Sequence, residues 1–249
     1  MVRPPTPERP LFLLDYDGTL AEIVADPSQA TPHPEAPALL ARLAAGHPLV
    51  VVTGRDLDSL ARLLTDGPGP VPLAAIGLHG GEEGVLGAPA RRRDLAAVAD
   101  DLRGLREAVP TGVGAVVEDK GGEAFAVHYR TAPDAAVARR ALEAWAADAP
   151  PALEAVWGKS VVELRPRGVS KGRAVAGLAR QHPERTPVCI GDDVTDEDAF
   201  AALHELDPAA VTIHVGAGAS AARYRLPDVD SVIGYLSRFD PEHRPPTPR

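Results

Sequence analysis

The stretch LFLLDYDGTL, residues 11–20, decides how the rest of the chain is read. Its apolar run, Leu11 to Leu14, leads straight into Asp15 and Asp17, one residue apart, and then into Gly18 and Thr19. A short run that is apolar on both faces reads as a buried strand of a parallel sheet. Alternation along a strand would put both carboxylates on one side. Two ionised groups that close repel each other unless positive charge sits beside them, so the pair calls for a cation.

Outward from that strand the same pattern recurs. PLVVVTGR (48–55) is a strand entering a turn, and DLDSLARLLTDG (56–67) is a helix closed by Gly67. PLAAIGLHGGEEG (72–84) gives another strand and a Gly-rich connector, ordered by His79, with Gly80 and Gly81 as hinge candidates. Strands alternating with helices predict a doubly wound parallel sheet, a Rossmann-like α/β core. From about Gly84 the texture changes. RRDLAAVADDLRGLREAV (92–109) is helical, and GAVVEDKGGEAFAVHYR (114–130) is a hairpin about the Gly121-Gly122 turn. DAAVARRALEAWAADA (134–149) is a second helix, and LEAVWGKSVVELRP (153–166) is a strand pair about Gly158-Lys159. After Gly168 the alternation returns through SKGRAVAGLARQH, PVCIGDD, TDEDAFAALHEL and AVTIHVG. The expected division is a discontinuous core, 1–80 and 166–249, and an inserted α+β unit, 81–165.

Composition excludes several classes. The 249 residues are 45% hydrophobic and 24% charged, as in a soluble globular protein of one large or two modest domains. The formal net charge of −9 argues against a nucleic-acid footprint. RRRD (91–94) is the basic cluster, and a solvated helix start explains it. Cys189 is the lone cysteine and fits a reducing compartment. No apolar signal core or membrane span is evident, so a cytoplasmic location without membrane partners is expected. The Pro-rich ends, MVRPPTPERP and FDPEHRPPTPR, are expected to be loose.

In an open α/β sheet, ligands bind at the carboxyl ends of the strands. DYDGT supplies Asp15 and Asp17 there, and VVTGR supplies Thr53 beside Gly54 and Arg55. The helix start SKG supplies Lys171, and CIGDDVTDED supplies Asp192 and Asp193. Oxygen ligands of this kind suit Mg2+, and a carboxylate nucleophile can form an aspartyl-phosphate. Singly, Thr53 could cap a helix and Lys171 could be a solvated lysine. Thr195 with Asp198 fits a capping box, and Asp196 and Glu197 suit a helix N-terminus, but Asp192 and Asp193 precede that cap. GAGASA (216–221) imitates a dinucleotide fingerprint without room for its βαβ unit, and GKS (158–160) lacks the rest of a P-loop.

DYDGT, TGR, the helix-starting Lys171 and GDDVTDED follow the four-motif order of the haloacid dehalogenase (HAD) superfamily of phosphohydrolases, which the chain resembles. More narrowly, GLHGGE, VEDKGGEAFAVHYR, GKSVVELRP, VSKG and GDDVTDEDAF are similar to the trehalose-6-phosphate phosphatase family. The resemblance implies a HAD-type core with an inserted cap. It makes Asp15 the nucleophile and Asp17 the acid/base. Mg2+ would be held by Asp15, the backbone carbonyl of Asp17 and Asp192, with Asp193 in support. Thr53 and Lys171 would hold the phosphoryl oxygens, with Gly54 and Arg55 on the substrate. In the cap, Glu118, Lys120, His128, Lys159 and Glu163 match sugar-binding positions, and Arg130 and Arg165 are additions.

The implied reaction is Mg2+-dependent hydrolysis of trehalose 6-phosphate, ending trehalose biosynthesis, by a monomer coupled to a separate trehalose-phosphate synthase. The rivals are a phosphatase for another sugar phosphate, of the sucrose or mannosylglycerate type, and a catalytically silent sugar-phosphate sensor. The intact Asp15, Asp17, Lys171 and Asp192 argue against silence, since a sensor needs no nucleophile.

Overall fold

Alternate residues of the first strand feed two different cores. The structure, a computed structural model, describes residues 2–24, 26–66, 69–92, 95–120, 124–240 and 242. In it Leu11 and Leu13 pack in a cluster with Val50, Val52, Cys189, Val175 and Phe200, while Phe12 and Leu14 join Val51, Ile190, Leu40, Leu43 and Leu236. A strand buried on both faces must be covered on both faces. Helices Lys171–Gln181 and Val194–Leu206 cover one side, and Ala36–Gly46, Leu57–Leu63 and Val229–Leu236 the other. Each fully buried aliphatic side chain contributes roughly 1.5–3 kcal/mol, so the position of this strand is set by the core and not by its charged end.

The chain forms two compact units, Met1–Ala90 with Ser170–Arg249, and Arg91–Val169. In the first, the strand order is Tyr224–Leu226, Val211–Val215, Thr186–Gly191, Pro10–Leu14, Leu49–Val52, Ala74–Gly77, Glu82–Val85. Neighbours are parallel except the last pair, where Glu82–Val85 returns antiparallel beside Ala74–Gly77. That return strand, with Leu86 buried in the core, keeps the chain in the first unit for ten residues beyond the expected boundary at 80. Gly67, expected to close the helix after Thr53, lies outside the described residues, and the helix itself ends at Leu63.

In the second unit the strands Val116–Lys120, Ala124–His128, Leu153–Gly158 and Val161–Pro166 form one antiparallel sheet, with Val161–Pro166 between Leu153–Gly158 and Ala124–His128. Phe125, Val127, Val162 and Leu164 share a buried face, and Trp145 of helix Ala135–Ala147 meets Phe125 there at a ring separation of 6.1 Å. Asp134 caps that helix through the amides of Ala136 and Val137. The expected Gly121-Gly122 turn lies outside the described residues. The helix expected over 92–109 begins only at Ala99, after a 3-10 turn, and ends at Glu107. Asp100 and Asp101 suit a helix N-terminus, where an arginine run is misplaced against the helix dipole.

The N-terminal arm is tied down rather than loose. The Tyr235 hydroxyl donates to the Pro5 carbonyl at 2.7 Å, Arg238 donates to Pro4 at 3.1 Å, and the Thr186 amide donates to Arg9 at 2.9 Å. No helix among the described residues is long and apolar enough to cross a membrane. Losing one buried hydrogen bond costs about 1 kcal/mol, so Tyr235→Phe is expected to lower the unfolding free energy by about that amount. Deletion of residues 2–6 should cost at least as much. Denaturant titration checks both, and a truncation without effect would show that the arm contributes nothing to stability.

Candidate active site

The buried ammonium of Lys171 organises the carboxyl edge of the sheet. Ser170 caps the helix Lys171–Gln181 by accepting from the Arg173 amide, which sets Lys171 at its first position. From there Lys171 Nζ donates to Asp15 Oδ1 at 2.6 Å and to Asp196 Oδ1 at 2.8 Å. All three side chains are buried. Burial by itself would lower the Lys171 pKa, but Asp15 and Asp196 outweigh it and hold the ammonium charged. Burial pushes the Asp15 carboxyl well above the ordinary carboxylate range; Lys171 opposes the shift, and Asp196 and Asp192 add to it.

Asp196 was not singled out from sequence, because a helix N-terminus accounts for an acidic residue there. Its Oδ2 accepts from the amides of both Asp192 and Asp193 at 3.1 Å, so one carboxylate joins the strand end to Lys171. The cap of helix Val194–Leu206 is Asp193 with Asp196 in the capping box, in place of the expected Thr195 and Asp198. The available signal was spacing: Asp196 follows Asp192 by four residues, one helical turn, so it folds back over the strand end. Carboxylate oxygens of Asp15, Asp192 and Asp196 lie within 4.8 Å of one another. Carboxylate oxygens gathered this closely are the donor set that holds a divalent cation through oxygen. Gly18 lets this happen: its φ is +72°, and a Cβ there would fall 2.4 Å from the Asp192 carboxyl carbon.

Asp17 has a cationic partner of its own. The strand stops at Leu14, and the Asp15 amide adds one more bond to Ile190 before the chain turns. Strand alternation therefore does not run through both acids, and the turn after Leu14 sets where each carboxylate lies. Arg55 grips the Asp17 carboxylate with two bonds, Nε to Oδ2 and Nη2 to Oδ1, each 2.7 Å. Arg55 Nη2 also donates to the Pro27 carbonyl at 2.8 Å. The opposing charge of the pair is thus Arg55 for Asp17 and Lys171 for Asp15. Thr53 is fully buried at the end of the neighbouring strand, and its Oγ1 accepts from the Arg55 amide at 3.2 Å. Asp56, not Thr53, caps the next helix, through the Ser59 amide. A hydroxyl that accepts still has a proton to give, which suits an anionic oxygen.

The cap-type candidates gather on one face of the second unit's sheet. Cross-strand partners share a face, and Glu118 and Glu163 both stand opposite Ala126, Lys120 opposite Ala124, and Val116 and Val161 opposite His128. Lys120 is paired with Glu163, and Glu118 contacts His128 at 2.6 Å. Burial would raise the Glu118 pKa, but the hydrogen bond with His128 and the charges of Lys120 and His128 bring it below the ordinary value. Arg165 and Glu154 pair on the same face at 3.0 Å. Lys159 sits in the turn before Val161, where its carbonyl accepts from exposed Arg130 at 3.4 Å.

A family model described as trehalose-phosphatase matches residues 13–230. The chain is 37% identical over 240 residues to the trehalose-6-phosphate phosphatase of Escherichia coli (strain K12), a match spanning 90% of this chain and 84% of the relative. It is 36% identical over 235 residues to a probable trehalose-phosphate phosphatase of Sinorhizobium fredii (strain NBRC 101917 / NGR234), spanning 91% and 86%. The C-terminal domain of C. albicans trehalose-6-phosphate phosphatase superposes with a TM-score of 0.74 at 25% identity, over 94% of this chain and 92% of that one. A phosphatase of the HAD superfamily from Bacteroides thetaiotaomicron shares the fold, with a TM-score of 0.57 at 16% identity over 94% and 97%.

A carboxyl whose folded-state pKa lies above its unfolded value stabilises at low pH, and the contribution is lost as pH rises through the folded value. Asp15 is raised in this way, and Lys171 is the cation that limits the rise. Lys171→Met is therefore expected to cost about 3–5 kcal/mol near neutral pH, the usual penalty for an uncompensated buried charge. The deficit should shrink as the pH falls and Asp15 takes up a proton. Unfolding measured across pH checks this, and a deficit independent of pH would mean that Lys171 contributes packing, not charge.

Proposed function

Since the chain belongs to the trehalose-phosphatase family, and so is a phosphatase, we propose that it hydrolyses trehalose 6-phosphate in two steps through a phosphorylated Asp15. The observation that carries this reading is the buried Asp15 carboxylate, held by Lys171 at the end of the central strand beside Asp192. In the first step an Asp15 oxygen attacks phosphorus and the bond from phosphorus to the sugar oxygen breaks. Asp17 donates a proton to the departing oxygen, having released one of its two bonds to Arg55. In the second step Asp17 takes a proton from water, which attacks phosphorus. The bond to Asp15 breaks, and phosphate leaves.

Thr53 and Lys171 donate to the phosphoryl oxygens, where charge builds in the transition state. Asp15, Asp192 and the Asp17 carbonyl would hold Mg2+, with Asp196 and Asp193 fixing the strand end behind them; such an ion neutralises phosphoryl charge. On the second unit, the face bearing Glu118, Lys120, His128 and Glu163 is suited to a disaccharide, with Lys159 and Arg130 at its rim. Each sugar hydroxyl buried there needs a partner. A cytoplasmic enzyme acting on the product of a separate synthase chain completes the reading.

Phosphate release from trehalose, sucrose, glucose and mannosylglycerate phosphates, with Mg2+ and with EDTA, tests it. Metal-dependent release strongly favouring trehalose 6-phosphate is expected; preference for another sugar overturns the substrate while keeping the chemistry. Asp15→Asn should lower kcat by about a thousandfold or more in a protein that still folds. Glu118→Ala and Lys120→Ala should cripple turnover of trehalose 6-phosphate yet spare a small aryl phosphate. Equal losses on both substrates would assign those two residues to structure.

A further inference from the structure

The connector Leu78–Glu82 is bonded to the Thr53–Leu57 segment at every second residue. The His79 amide donates to the Thr53 carbonyl at 3.0 Å, and the Leu78 amide donates to the Arg55 carbonyl at 2.9 Å. The third bond comes from a side chain: Glu82 Oε2 accepts from the Leu57 amide at 2.8 Å. Glu82 is 1% exposed. A buried carboxylate must be matched by donors, so this one is placed for a purpose. Gly77 makes room for it, since a Cβ there would lie 3.0 Å from Glu82 Oε2 and 2.7 Å from the Arg55 carbonyl oxygen.

The connector keeps this path against its own backbone preference. Leu78 and His79 have φ of 49° and 56°, the left-handed region, in two successive residues that are not glycine. Strain of that kind persists only where the surroundings over-determine it, and it collects at functional sites. What it holds here is the turn from which Arg55 reaches Asp17. Asp56 already caps the helix Leu57–Leu63 through the Ser59 amide, so Glu82 adds a bond at Leu57, two residues from Arg55.

We propose that Glu82 is a positioning residue for catalysis: through the Leu57 amide it fixes the Thr53–Leu57 turn, and so directs Arg55 onto Asp17. This rests on the reading of Asp17 as the proton donor to the leaving oxygen. The role requires an acceptor oxygen and no contact with substrate or reacting atoms. Its loss should appear where the proton matters. A sugar oxygen needs a proton as it leaves, whereas a nitrophenolate leaves without one. kcat/KM includes only steps up to departure of the leaving group, so the later attack of water does not enter the comparison.

The experiment compares wild type, Glu82→Ala and Glu82→Gln by kcat/KM for trehalose 6-phosphate and for p-nitrophenyl phosphate. Amide hydrogen exchange over residues 53–63 is followed in the same three proteins without substrate. Glu82→Ala is expected to lose at least tenfold on the sugar phosphate and less than threefold on the aryl phosphate, with faster exchange at Arg55 and Leu57. Glu82→Gln, which keeps an acceptor, should recover most of both effects. A loss of equal size on the two substrates, or unchanged exchange at 53–63, overturns the assignment. Failure of wild type to release phosphate from trehalose 6-phosphate counts against the substrate reading instead. The comparison then runs on whichever alkyl phosphate the wild type cleaves, and the exchange result holds without any substrate. Should Glu82→Ala not fold, Glu82→Leu takes its place.

Discussion

A charged ammonium sealed among carboxylates constrains the rest of the first unit. Taking an ion out of water costs several kcal/mol, recovered only when its partners are close and well directed. Lys171 meets two such partners, one 156 residues before it and one 25 residues after. The first residue of its helix must therefore come to the end of the central strand, and the start of the next helix must come to it as well. Asp196 passes the constraint on, because its second oxygen holds the amides of Asp192 and Asp193 and so aims the neighbouring strand end. Lys171 is the second residue after the chain returns from the inserted unit. The insertion thus separates in sequence what the ion pair joins in space.

How far this was legible from sequence follows from what each residue does. Leu11 to Leu14 announce a strand buried on both sides, because both faces are apolar and nothing else explains such a run. From that strand and its repeats, the doubly wound α/β core and the α+β insertion follow. Asp15, Thr53 and Asp192 directly follow strand ends and Lys171 opens a helix, as chain order predicts. Asp196 escaped because a local explanation, the helix dipole, was sufficient for it, and its distant contact with Lys171 leaves no local mark. Asp17 marks where the strand pattern stops being a guide. Alternation applies only while the chain is a strand, and this one ends before the first acid. Glu82 escaped for a third reason: a glutamate beside a Gly-Gly pair looks solvated, and only tertiary packing shows it sealed from water.

The two units satisfy their polar groups by different means. In the first, Asp15, Lys171, Asp196 and Glu82 are deeply buried, and their bonds run to backbone amides as well as to each other. They form a frame whose parts are spaced far apart in sequence. In the second, charged groups from buried Lys120 to part-exposed Glu118 and His128 lie on one sheet face with Ala124 and Ala126, paired across strands. Ala124 and Ala126 stand opposite Lys120 and Glu118, so small residues alternate there with long charged ones. The same amino-acid types thus bond to backbone amides in one unit and to one another across strands in the other.

That difference bears on selectivity in the proposed reaction. Glu118 already bonds His128, and Lys120 already bonds Glu163. A sugar that reaches this face does not fill an unmet demand; it exchanges with pairs that exist. Exchange is near neutral when each hydroxyl replaces the bond it displaces, because a paired charge has then only changed partner. It is unfavourable when a ligand covers the face without offering the matching hydroxyl, since a charged group is then shut from water with its former partner pushed aside. Discrimination among sugar phosphates would then rest on the penalty for the wrong ligand more than on extra attraction for the right one. Charges already paired before the ligand arrives are what that form of discrimination requires.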